Sequence, residues 1–508
     1  MDYSSNSNVD KMTTDATPDT TSTQAPQRPM SNVPDLLRVG TIPDNTAIDV
    51  ETDILDSVVF NQTFCRFQLQ NKGILHSNSK ISISASIVSA SNTGAFYPLN
   101  IGVASLIDRA VLKAGTKTIC EVEDFGHFYA YQSMFVSGEH NKEREAYTTA
   151  RLMNHEPFYA NGSKVGESFG NASLVGQQNA SALAKGVQLD RDFDQFFGAT
   201  DYDDVSEPFG DIFVSPHQRL GYNPQYQINL SDLFPFLKTA QLPLYMMKEP
   251  VSLELFWTSK SIDDKLRFCV PSGGTYNFEA DIIQTKTQMI ADYIYYPQEM
   301  MTAYAQQNAN LQFAYVDYRL AKRTLTEVSA KSLILNIGGA GRICNKVFHM
   351  LSDNNYDGNG MVLGNYSSVG PNASVSLEEG VSVNGSLIYN LRYNDHFLFP
   401  VDVDNSARHF HNIVQTEGKV PFVMRQEYSG EGLVIGGSIE GRNQTDQFTN
   451  KFFYVANRLN RNERVNSRGI EAYVDYRDLS AGTYTARFYI ELVRMAQLRD
   501  GMLTIEYA

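Results

Sequence analysis

Several short stretches carry residue types that could do chemistry. Asp353-Asn354-Asn355-Tyr356-Asp357-Gly358 matches the opening of an EF-hand loop, whose oxygen ligands alternate around Ca2+. The twelfth position is Gly364, where a bidentate Glu is needed, so an Asx-rich turn is the simpler account. His155-Glu156 begins a zinc-binding HExxH helix, but Tyr159 replaces the second His and Pro157 breaks the helix. His409 and His411, placed on a strand, would point both rings to one side, with no third ligand in sight. Gly436-Gly437-Ser438-Ile439-Glu440 lacks the last glycine of a nucleophile elbow. Gly115-Thr116-Lys117-Thr118 lacks the upstream glycine of a phosphate loop and sits in a hairpin. The acidic runs Asp190/Asp192/Asp194 and Asp201/Asp203/Asp204 are expected to be solvated loop faces, and no carboxylate pair stands out as a glycosidase dyad. The expectation is a protein that is not an enzyme, with no catalytic residue, cofactor or metal site.

What remains is a scaffold, and composition bounds it. At 508 residues the chain exceeds one comfortable hydrophobic core, which favours two domains. Its 28 Tyr and 29 Phe suit pleated, half-buried surfaces. A net charge of −15, with 42 basic residues scattered among 57 acidic ones, argues against a nucleic-acid face. No apolar run approaches the ~20 residues of a membrane-spanning helix, and the first residues lack a signal-peptide pattern. Cys65, Cys120, Cys269 and Cys344 lie far apart without a CxxC, so a reducing compartment is expected. The sequons at Asn61, Asn161, Asn171, Asn179, Asn229, Asn365, Asn372, Asn384 and Asn443 are attributed to chance in a Ser/Asn-rich chain.

Residues 1–35 are rich in Ser, Thr and Pro with Tyr3 as sole aromatic, so they should be disordered alone. From about Val50 the pattern is β. Cys65, Phe67 and Leu69 alternate with polar residues, and Ile81, Ile83, Ala85 and Ile87 alternate with serines that should form a wet face. Tyr226/Ile228/Leu230, Val251/Leu253/Leu255/Trp257, Leu333/Leu335/Ile337 and Ala486/Phe488/Ile490/Leu492 repeat the grammar. Pro297–Asn308 is the clearest helix, with Met300, Ala303 and Tyr304 on one face. The hexapeptide AYVDYR occurs at 314–319 and at 472–477, a coincidence of strand composition.

Two regions carry a family resemblance. The first is Asn100–Tyr131: an apolar run from Ile101 to Leu112, a turn at Gly115, a return strand Thr118–Val122, and a short amphipathic turn with Phe125, Phe128 and Tyr129. It resembles the first-domain signature of double jelly-roll major capsid proteins of large DNA viruses and virophages. The second is Leu233-Phe234-Pro235-Phe236, Leu242-Pro243-Leu244 and the strand after Glu249, similar to a Leu/Pro-rich segment late in that family's first jelly-roll. Ala291–Tyr296 followed by a helix fits the family's domain boundary. Within the family the chain is most similar to virophage proteins of the Sputnik type.

The resemblance implies an all-β protein of two consecutive eight-stranded antiparallel jelly-roll domains, with long loop insertions and a few short helices. Residues 1–47 would be an arm, 48–296 the first domain, 297–310 a helical linker and 311–508 the second. It further implies a homotrimer forming a pseudo-hexagonal capsomer of an icosahedral double-stranded DNA virus shell. Neighbouring capsomers, penton and minor capsid proteins would be its partners, without direct sequence-specific nucleic-acid binding. Location would be the virion, assembled in the host cytoplasm or virus factory. Loops at 160–211 and 353–385 would face outward, and residues 1–45 would tie the block to neighbours, minor shell proteins or an inner membrane. A carbohydrate-binding or adhesive β-sandwich and a β-sandwich glycosidase are the competing accounts.

Overall fold

The fold is seen in a computed structural model that describes residues 48–90, 95–96, 101–133, 135, 148–149, 196–197, 225–239, 241–258, 278–326, 329, 332–353, 386–404, 406–419, 454–460, 463–477 and 482–507. Eight strands build a first sandwich: β1 (Asp49–Asp56), β2 (Phe64–Gln68), β3 (Lys80–Ile83), β4 (Ile107–Ala114), β5 (Lys117–Glu123), β6 (Tyr226–Asn229), β7 (Val251–Trp257) and β8 (Gln288–Tyr295). They pair antiparallel in the orders β1-β8-β3-β6 and β2-β7-β4-β5.

Eight more build a second: β9 (Asn310–Thr326), β10 (Leu333–Gly338), β11 (Cys344–Asp353), β12 (Ser386–Tyr393), β13 (His396–Phe397), β14 (Tyr454–Arg458), β15 (Ile470–Arg477) and β16 (Thr483–Arg499). Their orders are β9-β16-β11-β14 and β10-β15-β12-β13. Each order is the first sandwich's shifted by eight. In both, first strand pairs with last and second with next-to-last, the nesting of a jelly-roll. The expected all-β double jelly-roll is the fold observed. Shorter strands extend these sheets, among them Val59–Asn61 on β2 and Met502–Tyr507 on β16.

Four α-helices accompany the strands among the described residues: α1 (Phe125–Ser133), α2 (Leu230–Leu233), α3 (Gln298–Gln307) and α4 (Ser406–Glu417). Pro297 sits at the N-cap of α3, and the face it buries is Tyr304 flanked by Met301; Ala303, expected on that face, is exposed.

Alternation along the strands works largely as patterned. Cys65 and Phe67 of β2 point inward with Gln68 outward. Two strands depart from it. Ser82 and Ser84, expected to be wet, are buried, so β3 is covered on both faces. β16 is buried from Tyr484 to Leu492 without a break. Its two faces feed different cores: Tyr484, Ala486, Phe488, Ile490 and Leu492 join the interior of the second sandwich, while Tyr489 joins the core of the first. The first core thus runs continuously through Phe128 and Tyr131 of α1 into Tyr315, Tyr318 and Phe348. A single strand with period two welds the sandwiches together.

The apolar run expected as one strand from Ile101 to Leu112 is in fact two elements. Gly102–Leu106 is a buried 3-10 turn and β4 begins only at Ile107. Gly115 (φ +57°) then turns β4 into β5.

Candidate functional site: the junction between the sandwiches

α1 is the centre of the junction. Phe125, Phe128 and Tyr129 were expected to mark an amphipathic turn, but every residue from Phe125 to Tyr131 is buried. A helix apolar all round belongs in an interior, and this one lies between two sandwiches. Tyr131 stacks on Phe348 at 4.0 Å and 6° between planes, Phe348 stacks on Tyr489 at 4.8 Å, and Phe128 meets Tyr318 edge-on at 4.8 Å. Such contacts add about 0.5–1.5 kcal/mol each beyond the area they bury.

Asp124 opens α1 with φ +50°. Its backbone oxygen accepts from the amides of His127 and Phe128, and also from the Tyr489 hydroxyl at 3.0 Å. Its carboxylate lies 2.7 Å from His127 Nδ1, 2.7 Å from Arg487 Nε and 3.1 Å from Lys322 Nζ. Burial alone would raise this carboxyl's pKa; Arg487, His127 and Lys322 override it and hold it well below the usual range. Arg487 and Lys322 belong to the second sandwich, so these charge pairs cross the junction.

A second buried pair lies alongside. Arg494 Nε is 3.1 Å from Asp317, and Asp317 in turn accepts from Cys120 Sγ at 3.1 Å and from the Glu121 amide at 3.3 Å. Burial raises the Asp317 carboxyl against the pull of Arg494. Arg494 also donates to the carbonyls of Thr118 and Ile119, and Tyr315 donates to Ile119 at 2.6 Å. The edge of β5 is thereby stitched to β9 and β16 through side chains.

A third group surrounds Lys346. Its ammonium reaches Glu417 at 2.8 Å and Glu491 at 3.4 Å, while Tyr131 donates to Glu417 and Tyr318 to Glu491, both at 2.7 Å. Burial opposes the ammonium form, and Glu491 and Glu417 outweigh it, raising the Lys346 pKa. Farther along, the Lys248 backbone amide donates to the Gly501 carbonyl at 2.8 Å; a Cβ on Gly501 (φ +83°) would meet Lys248 Cγ at 2.6 Å.

This chemistry fastens rather than reacts. His127 is fully buried, and burial followed by Asp317 pushes the Cys120 thiol well above its usual pKa, which keeps it unreactive. An open cleft lined by Val58, Gln68, Leu69, Gln70, Asn71, Lys248 and Pro250 holds neither a nucleophile nor an acid–base pair. No three metal-ligating side chains converge among the described residues, and no described helix is long and apolar enough to cross a membrane.

The residues weighed in the sequence do not meet. His409 and His411 lie on helix α4, not a strand, with His409 buried and His411 exposed. Gly115 and Thr116 form the β4–β5 turn, and Lys117 and Thr118 begin β5. His155, Glu156, Tyr159, the Asp190 and Asp201 clusters, Asn354–Gly358, Gly364 and Gly436–Glu440 lie outside the described residues, as do the arm 1–47 and nearly all of the loops 160–211 and 353–385. Sequence reasoning missed the junction. Its one signal was charge inside an apolar strand: Arg487 and Glu491 alternate with core residues of β16 and, being buried, must be paired.

No family profile matches the chain, and no curated protein matches it by sequence. Among solved structures, it is similar to a chain of the PBCV-1 virus capsid at TM-score 0.50 and 11% identity, covering 92% of this chain and 98% of that one. Weaker likenesses are to the Sputnik virophage by cryo-EM (TM-score 0.49, 10% identity, 92% and 90% covered) and to the mavirus major capsid protein (0.41, 13%, 96% and 95%).

Proposed function

We propose that this chain is a major capsid protein, a non-enzymatic building block of the icosahedral shell of a double-stranded DNA virus, of the virophage kind. The observation that carries it is architectural. Two jelly-rolls of identical strand order are welded by a buried junction into one rigid block, and the PBCV-1 capsid chain shares that fold over almost its whole length. The block divides into an arm (1–47), a first jelly-roll (48–296), a helical linker (297–310) and a second jelly-roll (311–508). Three copies form a pseudo-hexagonal capsomer that meets neighbouring capsomers, penton and minor capsid proteins. The arm ties it to neighbours, minor shell proteins or an inner membrane; the chain resides in the virion and is made in the host cytoplasm.

The test is the native mass of the purified full chain by light scattering, with negative-stain images of the same sample. A mass three times the chain's and a hexagonal outline are expected. A monomer that is retained on glycan columns overturns the proposal in favour of an adhesive sandwich. Deleting residues 1–45 should leave trimers intact while weakening assembled shells; unaltered shells would remove the role given to the arm.

A further inference from the structure

Three guanidiniums meet at Tyr507. β16 pairs with β11 as far as Leu492 and with the short strand Met502–Tyr507 from Arg494 onward, so the end of that strand abuts the start of β11. At this seam the Tyr507 hydroxyl accepts from Arg319 Nη2 of β9 and from Arg494 Nη2 of β16, each at 2.6 Å. The Arg342 guanidinium, two residues before β11, lies over the Tyr507 ring at 3.8 Å. The ring itself packs against the core of the second sandwich, which holds the phenol in place.

The three cations are not equally committed. Arg494 is fully engaged: its Nε faces Asp317 at 3.1 Å, and Nη1 donates to the carbonyls of Thr118 and Ile119. Among the described residues, Arg319 and Arg342 make no ion pair; the Arg319 side chain bonds only to Tyr507, and Arg342 only stacks on it. Asp317 and Glu123 feel the Arg319 charge at longer range. Two guanidiniums gathered on one phenol repel each other, and an anion between them removes that repulsion. The phenol can bind the same anion. Guanidinium donors take both lone pairs of its oxygen, so its own O–H is left to donate outward, and no described residue accepts it. Burial alone would raise the Tyr507 pKa; the hydrogen bonds from Arg319 and Arg494 override it and bring the pKa below its usual value, which strengthens the O–H as a donor.

We propose that Arg319, Arg342 and the Tyr507 hydroxyl bind one tetrahedral oxyanion, a phosphate free in solution or borne as a monoester. A guanidinium fork matches a pair of phosphate oxygens. The donors come from the face of the ring and from its hydroxyl end, which suits oxygens pointing in several directions better than a flat carboxylate. A nucleic-acid strand is the poorer occupant: it needs a row of cations, and here Glu506 adjoins the site in a chain of net charge −15. The anion fastens β9, the entry to β11 and the last strand, segments as far apart as the 188 positions between Arg319 and Tyr507. The site belongs to the fold of a single chain and does not depend on the shell reading.

The experiment titrates inorganic phosphate into the full chain by calorimetry at fixed ionic strength. Phosphate stabilises many folds without a site, so the reading is stoichiometry and affinity rather than melting temperature. One phosphate per chain is expected, with acetate bound at least about tenfold more weakly. Phosphoserine in place of inorganic phosphate separates the two sources, the tighter ligand naming the one the site prefers. Arg319→Gln and Arg342→Gln should each weaken phosphate at least about tenfold. Tyr507→Phe, which keeps the ring under Arg342 and loses the O–H, should weaken it about fivefold. Arg323→Gln, an exposed cation of the same strand β9, should bind as the wild type does. Arg342→Gln removes no hydrogen bond among the described residues and should melt with the wild type, so it decides the matter if Tyr507→Phe misfolds. A wild type without saturable binding overturns the proposal. So does acetate bound as tightly as phosphate, or an Arg342 variant that binds phosphate undiminished.

Discussion

The hexapeptide AYVDYR occurs twice, and the two copies are buried on different sides. At 314–319, on β9, Tyr315, Asp317 and Tyr318 are buried while Ala314 and Val316 are half-covered. At 472–477, on β15, Ala472, Val474 and Tyr476 are buried while Tyr473 and Asp475 are half-covered. Both copies are strands, as their composition asks. β9 is applied to the first sandwich, so its carboxylate is drawn into the junction to meet Arg494 and the Glu121 amide. β15 closes the second sandwich's own interior, so its valine and alanine point in and Asp475 takes the Ser332 amide near the surface. Six identical residues specify a strand; the surface they lie against decides which of them become core.

Paired substitutions sharpen or break this contrast. Asp317→Ala strips the partner from buried Arg494 and should cost about 3–5 kcal/mol, whereas Asp475→Ala should cost within about 1 kcal/mol; equal shifts in urea midpoint would break the comparison. Tyr318→Phe leaves the buried Glu491 carboxylate without its hydroxyl donor and should cost about 1.5–3 kcal/mol, against about 1–2 for Tyr476→Phe, whose hydroxyl donates to neutral His349. Val474→Ala should lose about 2 kcal/mol and Val316→Ala about half of that, read by calorimetry.

The effect of pH is spread over several units. His349 donates from Nδ1 to the Arg487 carbonyl and stacks on Phe488 at 4.1 Å, and burial pulls its pKa down to about 3; burial does the same to His409. The unfolded chain therefore takes up these protons first. Stability is full above the unfolded value of about 6.5 and falls as pH drops below it, by at most about 1.4 kcal/mol per pH unit for each histidine. His409→Leu should halve the slope of melting temperature between pH 6 and pH 4 that the two histidines contribute; an unchanged slope would remove His409 from this account.

The strands were legible because period two survives wherever a sheet has one covered face. It was lost in β3 and β16, covered on both, where Ser82, Ser84, Arg487 and Glu491 sit inside. The junction was illegible for a related reason. Asp124 follows a strand and precedes a helix, as a capping residue would, and nothing local announces that Arg487, 363 positions later, supplies its partner. The fold-level resemblance was carried by segments at 100–131 and 233–257, both of which frame the first core; the helix among them, Phe125–Tyr131, belongs equally to the second sandwich, a fact no local pattern contains.

The nesting of first strand with last has a consequence during synthesis. β1 waits for β8, some 240 residues later, and at ribosomal rates of roughly 5–20 residues per second that is about 12–50 s. α1 then waits about as long again for β16 to emerge and cover its second side. For that interval a nascent chain displays Phe128 and Tyr131 to its surroundings. Demand for chaperones should therefore peak late in translation, and a chain released before Arg499 would carry an oily helix with nothing to close over it.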